Sequence, residues 1–227
     1  NKNKVKSKII HLSKIRNLAP KVKKKILQDL KKITIKKELI NKKSHIIMGI
    51  LNMTPDSFSD GGKFNNHRKS LKHIIQMIKC GADIIDVGGE STRPGSETVE
   101  VKKEWRRIKK VVTSFKKRFK KTCLSVDTRK SDLMIKSIKH RADLINDVSG
   151  FNYDKNTISI IKKYKIPRVI HHMKGTPANM QNNPKYNNVL LDIYDFFEKK
   201  IKENNLKDKV IIDPGIGFGK TLKHNLT

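Results

Sequence analysis

Carboxylate, amide and imidazole side chains recur along the sequence, each at the end of a short apolar run that has the length of a buried strand. A carboxylate accepts two parallel hydrogen bonds, and an amide both donates and accepts. Side chains of these types suit the recognition of a flat, polar ligand. The residues concerned are Asn52, Asp86, Glu90, Asp127, Asn146, Asp147, His171, His172 and Asp213.

The first of these apolar runs ends in the stretch GILNMTPDSFSDGG, residues 49–62, which carries two carboxylates, three hydroxyls, one amide and a double glycine. A plain surface turn needs fewer residues than this segment supplies. Long polar loops that follow buried strands are where α/β proteins place their chemistry. We therefore predict that this loop forms part of a functional site.

Strand-like and helix-like segments alternate along most of the chain. Six strands and five helices in alternation predict βα units and a parallel sheet. The strands are nearly continuous apolar runs, as expected when both faces of the sheet are covered. The strand-like segments are 45–53, 83–91, 122–128, 143–150, 167–173 and 209–219, and the helix-like segments are 68–81, 100–119, 130–141, 156–165 and 187–205.

The position of the polar residues favours a (β/α)8 TIM-barrel type of α/β fold. The active site of a barrel is built from successive strand ends, whereas a doubly wound sheet concentrates its ligand groups at one switch point. A complete barrel has eight βα units, and about six are visible here. We expect a barrel domain over residues 44–227, incomplete at its C-terminus, preceded by a basic N-terminal extension over 1–43. An amphipathic helix is predicted within this extension, over residues 23–33.

The charge balance is strongly basic, with 52 Lys and Arg against 21 Asp and Glu and a net charge of +31. Nucleic-acid binding is one interpretation. The lysines are scattered and no RNA-binding motif is present, which favours the codon bias of an AT-rich genome instead.

Cys80 and Cys123 form no CxxC pair and are interpreted as reduced core residues of a cytoplasmic protein. No segment has the length and apolarity of a membrane span or a signal peptide, so no membrane partner is expected.

Two segments resemble known motifs but lack a feature that each motif requires. GFGKT resembles the end of a P-loop, but Pro214 stands where a P-loop requires glycine. The adjacent His171 and His172 could suggest a metal site, but neighbouring residues on a strand point to opposite faces.

Six segments of the chain resemble dihydropteroate synthase, in that family's order and spacing. They are GILNMTPDSFSDGG, GADIIDVGGESTRPGS, LSVDTRK, LINDVSG, HHMKGTPANMQ and IIDPGIGFGKTLKHN, and the resemblance covers roughly residues 46–227. It implies a transferase that condenses 6-hydroxymethyl-7,8-dihydropterin pyrophosphate with para-aminobenzoate, giving 7,8-dihydropteroate and pyrophosphate in folate biosynthesis. It also implies these small-molecule substrates, Mg2+ as cofactor, a homodimer when full length, and inhibition by sulfonamides.

The resemblance assigns roles to individual residues. It implies a pterin pocket formed by Asp127, Asn146 and Asp213; any one of these alone would be more typical of a structural cap, but the three in these contexts favour a pocket. Asn52 resembles the magnesium ligand, and Arg93 resembles the arginine that contacts pyrophosphate. The catalytic residues implied are Asp127, Arg93 and Asp56. The residues that resemble the surroundings of the aminobenzoate ring are Asp56, Thr92, Pro94 and Phe218.

The chain also departs from the family pattern. The family continues with two further strands, and their Ser-Arg-Lys-Ser motif and pyrophosphate-binding Arg and His are not found here. We therefore expect a fragment or a shortened product whose sheet has two open edges. His171 stands where an apolar residue is more usual. Two alternatives remain open: a degenerate pterin-binding protein without catalysis, and a basic nucleic-acid binder that uses the N-terminal extension.

Overall fold

The computed structural model describes residues 15, 17–33, 46–54, 66–206 and 208–227. Strands and helices alternate through this part of the chain, as predicted. In chain order the elements are α1 (Pro20–Ile33), β1 (Met48–Asn52), α2 (Asn66–Lys79), β2 (Ile84–Gly88), α3 (Val101–Arg118), β3 (Cys123–Asp127), α4 (Ser131–Lys139), β4 (Leu144–Asp147), α5 (Thr157–Tyr164), β5 (Arg168–His171), α6 (Val189–Glu203), β6 (Val210–Asp213) and α7 (Leu222–Asn225).

The six strands form one parallel sheet in the order β1-β2-β3-β4-β5-β6. Each neighbouring pair is joined through a helix, which is the connection that parallel strands require. The predicted α/β architecture, with six βα units of the barrel type, is confirmed. The observed strands are shorter than the predicted segments because the chain leaves the sheet at the polar residues. The short helix α7 was not predicted.

The two faces of the sheet differ in chemistry because side chains alternate along each strand. The outer face is mainly apolar and, from β1 to β5, buried under the helices. It carries Leu51, Ile85, Val87, Leu124, Val126, Ile145 and Ile170. The opposite face, called the inner face here, carries Asn52, Asp86, Gly88, Ser125, Asp127, Asn146, His171 and Asp213. The hydrophobic core therefore lies between sheet and helices, and the polar strand-end groups lie on the inner face.

Both edges of the sheet are open among the described residues, as the sequence predicted. Ile50 on β1 and Ile211 on β6 belong to the inner face and are 60% and 48% exposed. Ile212, on the outer face of β6, is 54% exposed. The predicted boundary between residues 43 and 44 lies outside the described residues and remains a prediction.

The predicted helix in the N-terminal extension is present as α1, which lies against α6. In the described part of the chain, no helix combines the length and the apolarity needed to span a bilayer.

The cysteine prediction is wrong for Cys80, which is an exposed free thiol just after α2. Cys123 is a half-buried free thiol at the start of β3.

One turn is used twice at the N-terminal end of the sheet. After α2 and after α4, a residue at positive φ reverses the chain: Gly81 at 98° and Arg141 at 70°. An alanine and an aspartate follow in both turns. The carboxylate of Asp83 accepts from the backbone N–H of Ile47 at 2.9 Å, and that of Asp143 accepts from Leu124 N–H at 2.8 Å. Each aspartate therefore pins its own strand to the preceding one.

The paired turns predict the effect of exchanging their residues. Arg141→Gly should raise the free energy of unfolding by about 0.5–1 kcal/mol, because glycine adopts positive φ without the strain of a Cβ. Gly81→Arg, the matched reverse change, should lower it by about 1 kcal/mol or more. Urea denaturation of the two variants beside the wild type measures both values. A loss of stability in Arg141→Gly would contradict the prediction.

Candidate functional site

Four strand-end residues stand side by side on the inner face. The register of the sheet pairs Asn52 with Gly88, Gly88 with Asp127, and Asp127 with Asn146. On the next two strands His171 pairs with Asp213, slightly further towards the carboxyl ends. The sheet therefore brings the predicted pterin residues to one face, with the predicted magnesium ligand beside them.

Gly88 leaves a gap in this row. A Cβ at this position would stand 3.3 Å from Asn52 Oδ1 and 3.4 Å from Asp127 Oδ2. Any larger residue would fill the space between the amide and the carboxylate. The absence of a side chain at Gly88 thus leaves two oxygen atoms facing one small space.

A deeper polar layer supports the row. Asn146 Nδ2 donates to Asp86 Oδ2 at 2.9 Å, which fixes the orientation of the amide. Asn146 Oδ1 and Asp86 Oδ1 are buried, and no described residue forms a hydrogen bond with either. Unpaired buried acceptors cost free energy. Two acceptors without partners at the bottom of a polar recess therefore indicate a site that a ligand with N–H donors would complete.

The pKa values of the carboxyl groups on the inner face are shifted in opposite directions. Burial, together with the charge of nearby Asp86, raises the pKa of Asp127 well above its ordinary value. Burial also raises the pKa of Asp86, despite the hydrogen bond from Asn146. By contrast, the hydrogen bond from His171 lowers the pKa of Asp213. Asp213 is therefore the acid most firmly held as a carboxylate, an arrangement typical of functional sites.

Asp213 is the centre of a small cluster at the end of β6. His171 Nδ1 lies 3.1 Å from Asp213 Oδ2, and the backbone N–H of Gly215 donates to Asp213 Oδ1 at 2.8 Å. The half-buried Phe218 ring meets the His171 ring edge-on, with centroids 4.6 Å apart. Phe218, predicted beside the aminobenzoate ring, is thus linked to the pterin residues through His171.

His172 and Lys220 have a separate role. The Lys220 ammonium lies 3.1 Å from His172 Nδ1 and donates to the carbonyls of Gly215 and Phe218. Burial lowers the pKa of His172 to about 4 and that of Lys220 to about 8. Lys220 therefore holds its own glycine-rich loop together, which supports the exclusion of a P-loop. His171 and His172 have different partners, as their adjacency predicted.

The loop from Gly89 to Glu100 joins β2 to α3 and carries Thr92, Arg93 and Pro94. Its two ends are held together by Glu90, whose Oε1 accepts from the backbone N–H of Val99 at 2.7 Å. At its tip, Gly95 N–H donates to the carbonyl of Pro177 in the β5–α6 loop at 2.9 Å. Arg93 and Pro94 are exposed and Thr92 is half-buried. The loop is thus a closed Ω-like loop that reaches a second loop across the site.

Four charged residues, called the charge cluster here, lie buried beneath this loop: Glu90, Glu104, Arg129 and Lys130. Glu90 accepts from Arg129 Nε and Lys130 Nζ, both at 2.8 Å, and Lys130 also pairs with Glu104. Burial opposes ionisation of Glu90, but the hydrogen bonds from Arg129 and Lys130 outweigh it and lower the pKa of Glu90. The cluster joins the loop to α3 and to the β3–α4 turn.

Not every predicted residue can be placed. Asp56, with the rest of segment 55–65, lies outside the described residues. Asp147 follows Asn146 and faces the other side of the sheet, where its Oδ1 accepts from Ser149 N–H at 2.8 Å. Sequence reasoning noted Asp86 and His171 without assigning them to the site. The spacing of two residues between Asp86 and Gly88 was a signal that both face the same side of the sheet. The pairing of His171 with Asp213 is a strand register that the sequence does not display.

The comparisons with known proteins show the family to which the chain belongs. A family model described as pterin binding enzyme matches residues 48–227. Dihydropteroate synthase of Clostridium beijerinckii is 45% identical over 184 residues, 79% of this chain and 65% of that protein. A crystal structure of Yersinia pestis dihydropteroate synthase with a sulfonamide drug has a TM-score of 0.74 and 42% identity, covering 80% of this chain and 66% of that one. The Clostridium difficile dihydropteroate synthase structure with pteroic acid has a TM-score of 0.74 and 40% identity, covering 81% and 69%.

The chain is shorter than these relatives, since it spans 65% and 64% of the two dihydropteroate synthases from Clostridium beijerinckii and Escherichia coli.

The charge cluster gives a stability prediction. Lys130→Met should lower the free energy of unfolding by about 3–5 kcal/mol, because Glu104 would be left buried without its cationic partner. Lys139→Met changes an exposed lysine at the end of α4 and should stay within about 0.5 kcal/mol of the wild type. Urea denaturation at neutral pH compares them. Equal stabilities for the two variants would show that the cluster does not support the fold.

The two acids of opposite pKa shift give a second prediction. At pH 7, Asp127→Asn should raise the free energy of unfolding by about 1 kcal/mol, because it removes a carboxyl from a buried acidic recess. Asp213→Asn should lower it by about 1 kcal/mol, because it removes the charge that His171 stabilises. The Asp127 difference should shrink as the pH falls towards about 4, because the raised pKa makes this acid neutral in the folded wild type. The Asp213 difference should persist to about pH 4 and shrink only below it, because the pKa of Asp213 is lowered. Changes of the same sign in both variants would contradict the assignment.

Proposed function

The chain belongs to the family of pterin-binding enzymes, and we propose that it provides the catalytic barrel of a dihydropteroate synthase. The reaction joins 6-hydroxymethyl-7,8-dihydropterin pyrophosphate to para-aminobenzoate and releases pyrophosphate. The observation that carries the proposal is the gathering of Asp127, Asn146 and Asp213 on the inner face of the sheet. The similarity to synthases solved with a sulfonamide and with pteroic acid supports it.

Pterin recognition would use the polar recess. A pterin presents adjacent N–H donors along a flat edge, which a carboxylate accepts side by side. Asp213, held as a carboxylate, is suited to this role. The free acceptor Asn146 Oδ1 would take a further N–H, and Asp127 would pair with the remaining edge of the ring. A heterocycle that left these buried groups unpaired would lose about 1–3 kcal/mol for each, which provides the selectivity.

The loop between β2 and α3 would serve the second half of the reaction. Pyrophosphate leaves from a methylene carbon, so positive charge is needed where negative charge develops. Arg93 is proposed to supply it, with Thr92, Pro94 and Phe218 beside the aminobenzoate ring. The electron-rich pterin stabilises the cationic methylene, and the amine of para-aminobenzoate then attacks it. Loop closure, with Asp56 on the preceding loop, would exclude water from this carbon.

The residues near Gly88 fit a magnesium ion. Asn52 Oδ1 and Asp127 Oδ2 face the same small space, and oxygen atoms are the ligands that Mg2+ prefers. The described residues contain no group of three His, Cys, Asp or Glu side chains that could hold a metal. Mg2+ that is bound together with substrate phosphates usually has few protein ligands. Asn52 would hold the ion, which when bound offsets charge on the pyrophosphate.

We also propose, on the resemblance alone, a cytoplasmic homodimer for the full-length protein.

The test of this function measures both products. We expect pyrophosphate release that requires para-aminobenzoate and Mg2+, is matched by 7,8-dihydropteroate, and is blocked by a sulfonamide. Arg93→Ala should lower kcat by about 100-fold, since one charge-stabilising donor contributes on this scale. Arg106→Ala removes an exposed arginine of α3 and should leave kcat unchanged. Pterin binding without pyrophosphate release would favour the non-catalytic alternative, and no pterin binding would overturn the proposal.

A further inference from the structure

We propose that His171 is a positioning residue for the Asp213 carboxylate and thereby tightens binding of a heterocycle with two adjacent N–H donors. The inference rests on the proposed pterin pocket and goes beyond it, because His171 stands where the resembled family more usually has an apolar residue. In this part of the pocket, the chain would therefore differ from the resembled family.

The geometry holds Asp213 from two sides. His171 and Asp213 are register partners on adjacent strands, so their side chains leave the sheet on the same face. His171 Nδ1 lies 3.1 Å from Oδ2, and Gly215 N–H donates to Oδ1 at 2.8 Å. Each carboxylate oxygen can accept a second hydrogen bond. Since the Asp213 side chain is 45% exposed, both oxygens remain accessible to a ligand while their orientation is fixed.

The surroundings of the imidazole fix its tautomer. His171 Nε2 is buried, and no described residue forms a hydrogen bond with it. A proton on Nε2 would be a buried donor without an acceptor, which folded proteins rarely tolerate. A proton on Nδ1 points instead at a carboxylate, where a charge-assisted hydrogen bond forms. The neutral ring therefore carries its proton on Nδ1 and donates to Asp213.

Packing fixes the ring itself. The His171 side chain is only 5% exposed, and its ring meets Phe218 edge-on. A Cβ on Gly215 would lie 2.8 Å from Nε2, so the backbone closes directly behind the ring. An imidazole confined in this way cannot swing away from Asp213. The carboxylate is therefore already oriented before a ligand arrives, which reduces the cost of binding.

The binding experiment uses 6-hydroxymethylpterin as the probe, measured by isothermal titration calorimetry. His171→Leu should weaken binding about tenfold, because it removes a hydrogen bond to a charged group. His171→Asn can place its amide N–H close to the position of Nδ1 and should restore most of the affinity. His73→Leu makes the same change at an exposed position of α2 and should bind like the wild type. His171→Leu binding as tightly as the wild type would overturn the inference alone, whereas no binding by the wild type would overturn the proposed function as well.

A second measurement is independent of any ligand. Nitrogen chemical shifts of the histidine rings should show His171 as the Nδ1–H tautomer, and Asp213→Asn should remove this preference. An Nε2–H tautomer in the wild type would overturn the inference whatever the calorimetry shows.

Discussion

The parallel register of the six strands is the constraint on which the site depends. Because side chains alternate along a strand, a fixed register decides which residues of neighbouring strands share a face. Here it turns Leu51, Val87 and Val126 towards the helices, where they are buried. The same register turns Asn52, Asp127 and Asn146 to the inner face. A slip of one residue in any strand would exchange core and site residues, so the burial of the outer face is what holds the polar row in place.

The charge cluster fixes the positions of the loops that follow β2 and β3. Buried ion pairs are costly to desolvate and contribute little net stability. Their value here is geometric, because Glu90 closes the loop that carries Arg93, while Arg129 and Lys130 join that loop to the next turn. A flexible loop would lose entropy each time it closed over substrates. Holding both its ends in the folded state reduces that loss to the movement of the exposed tip.

Much of the fold and part of the site could be predicted from the sequence. The alternation of elements and the position of Asn52, Asp127, Asn146 and Asp213 follow from local periodicity, which the sequence displays directly. The charge cluster could not be predicted, since Lys130 meets Glu90 across 40 positions of sequence and Glu104 lies in a helix dominated by lysine and arginine. Cys80 was placed in the core on composition alone, although the turn after α2 exposes it. Long-range pairing and turn geometry decide these cases, and neither leaves a local pattern.

Among the described residues the edges of the sheet at β1 and β6 are open, and this gives the high net charge a physical consequence. A free strand edge with exposed isoleucines offers unpaired N–H and C=O groups to any other strand, and this is how sheets from separate molecules join. Two copies of this chain approaching edge to edge would each bring a charge of +31. Their mutual repulsion opposes that contact at low ionic strength and weakens as salt screens it. Whatever the origin of its lysines, the positive charge of the chain therefore opposes self-association through the edges of its own sheet.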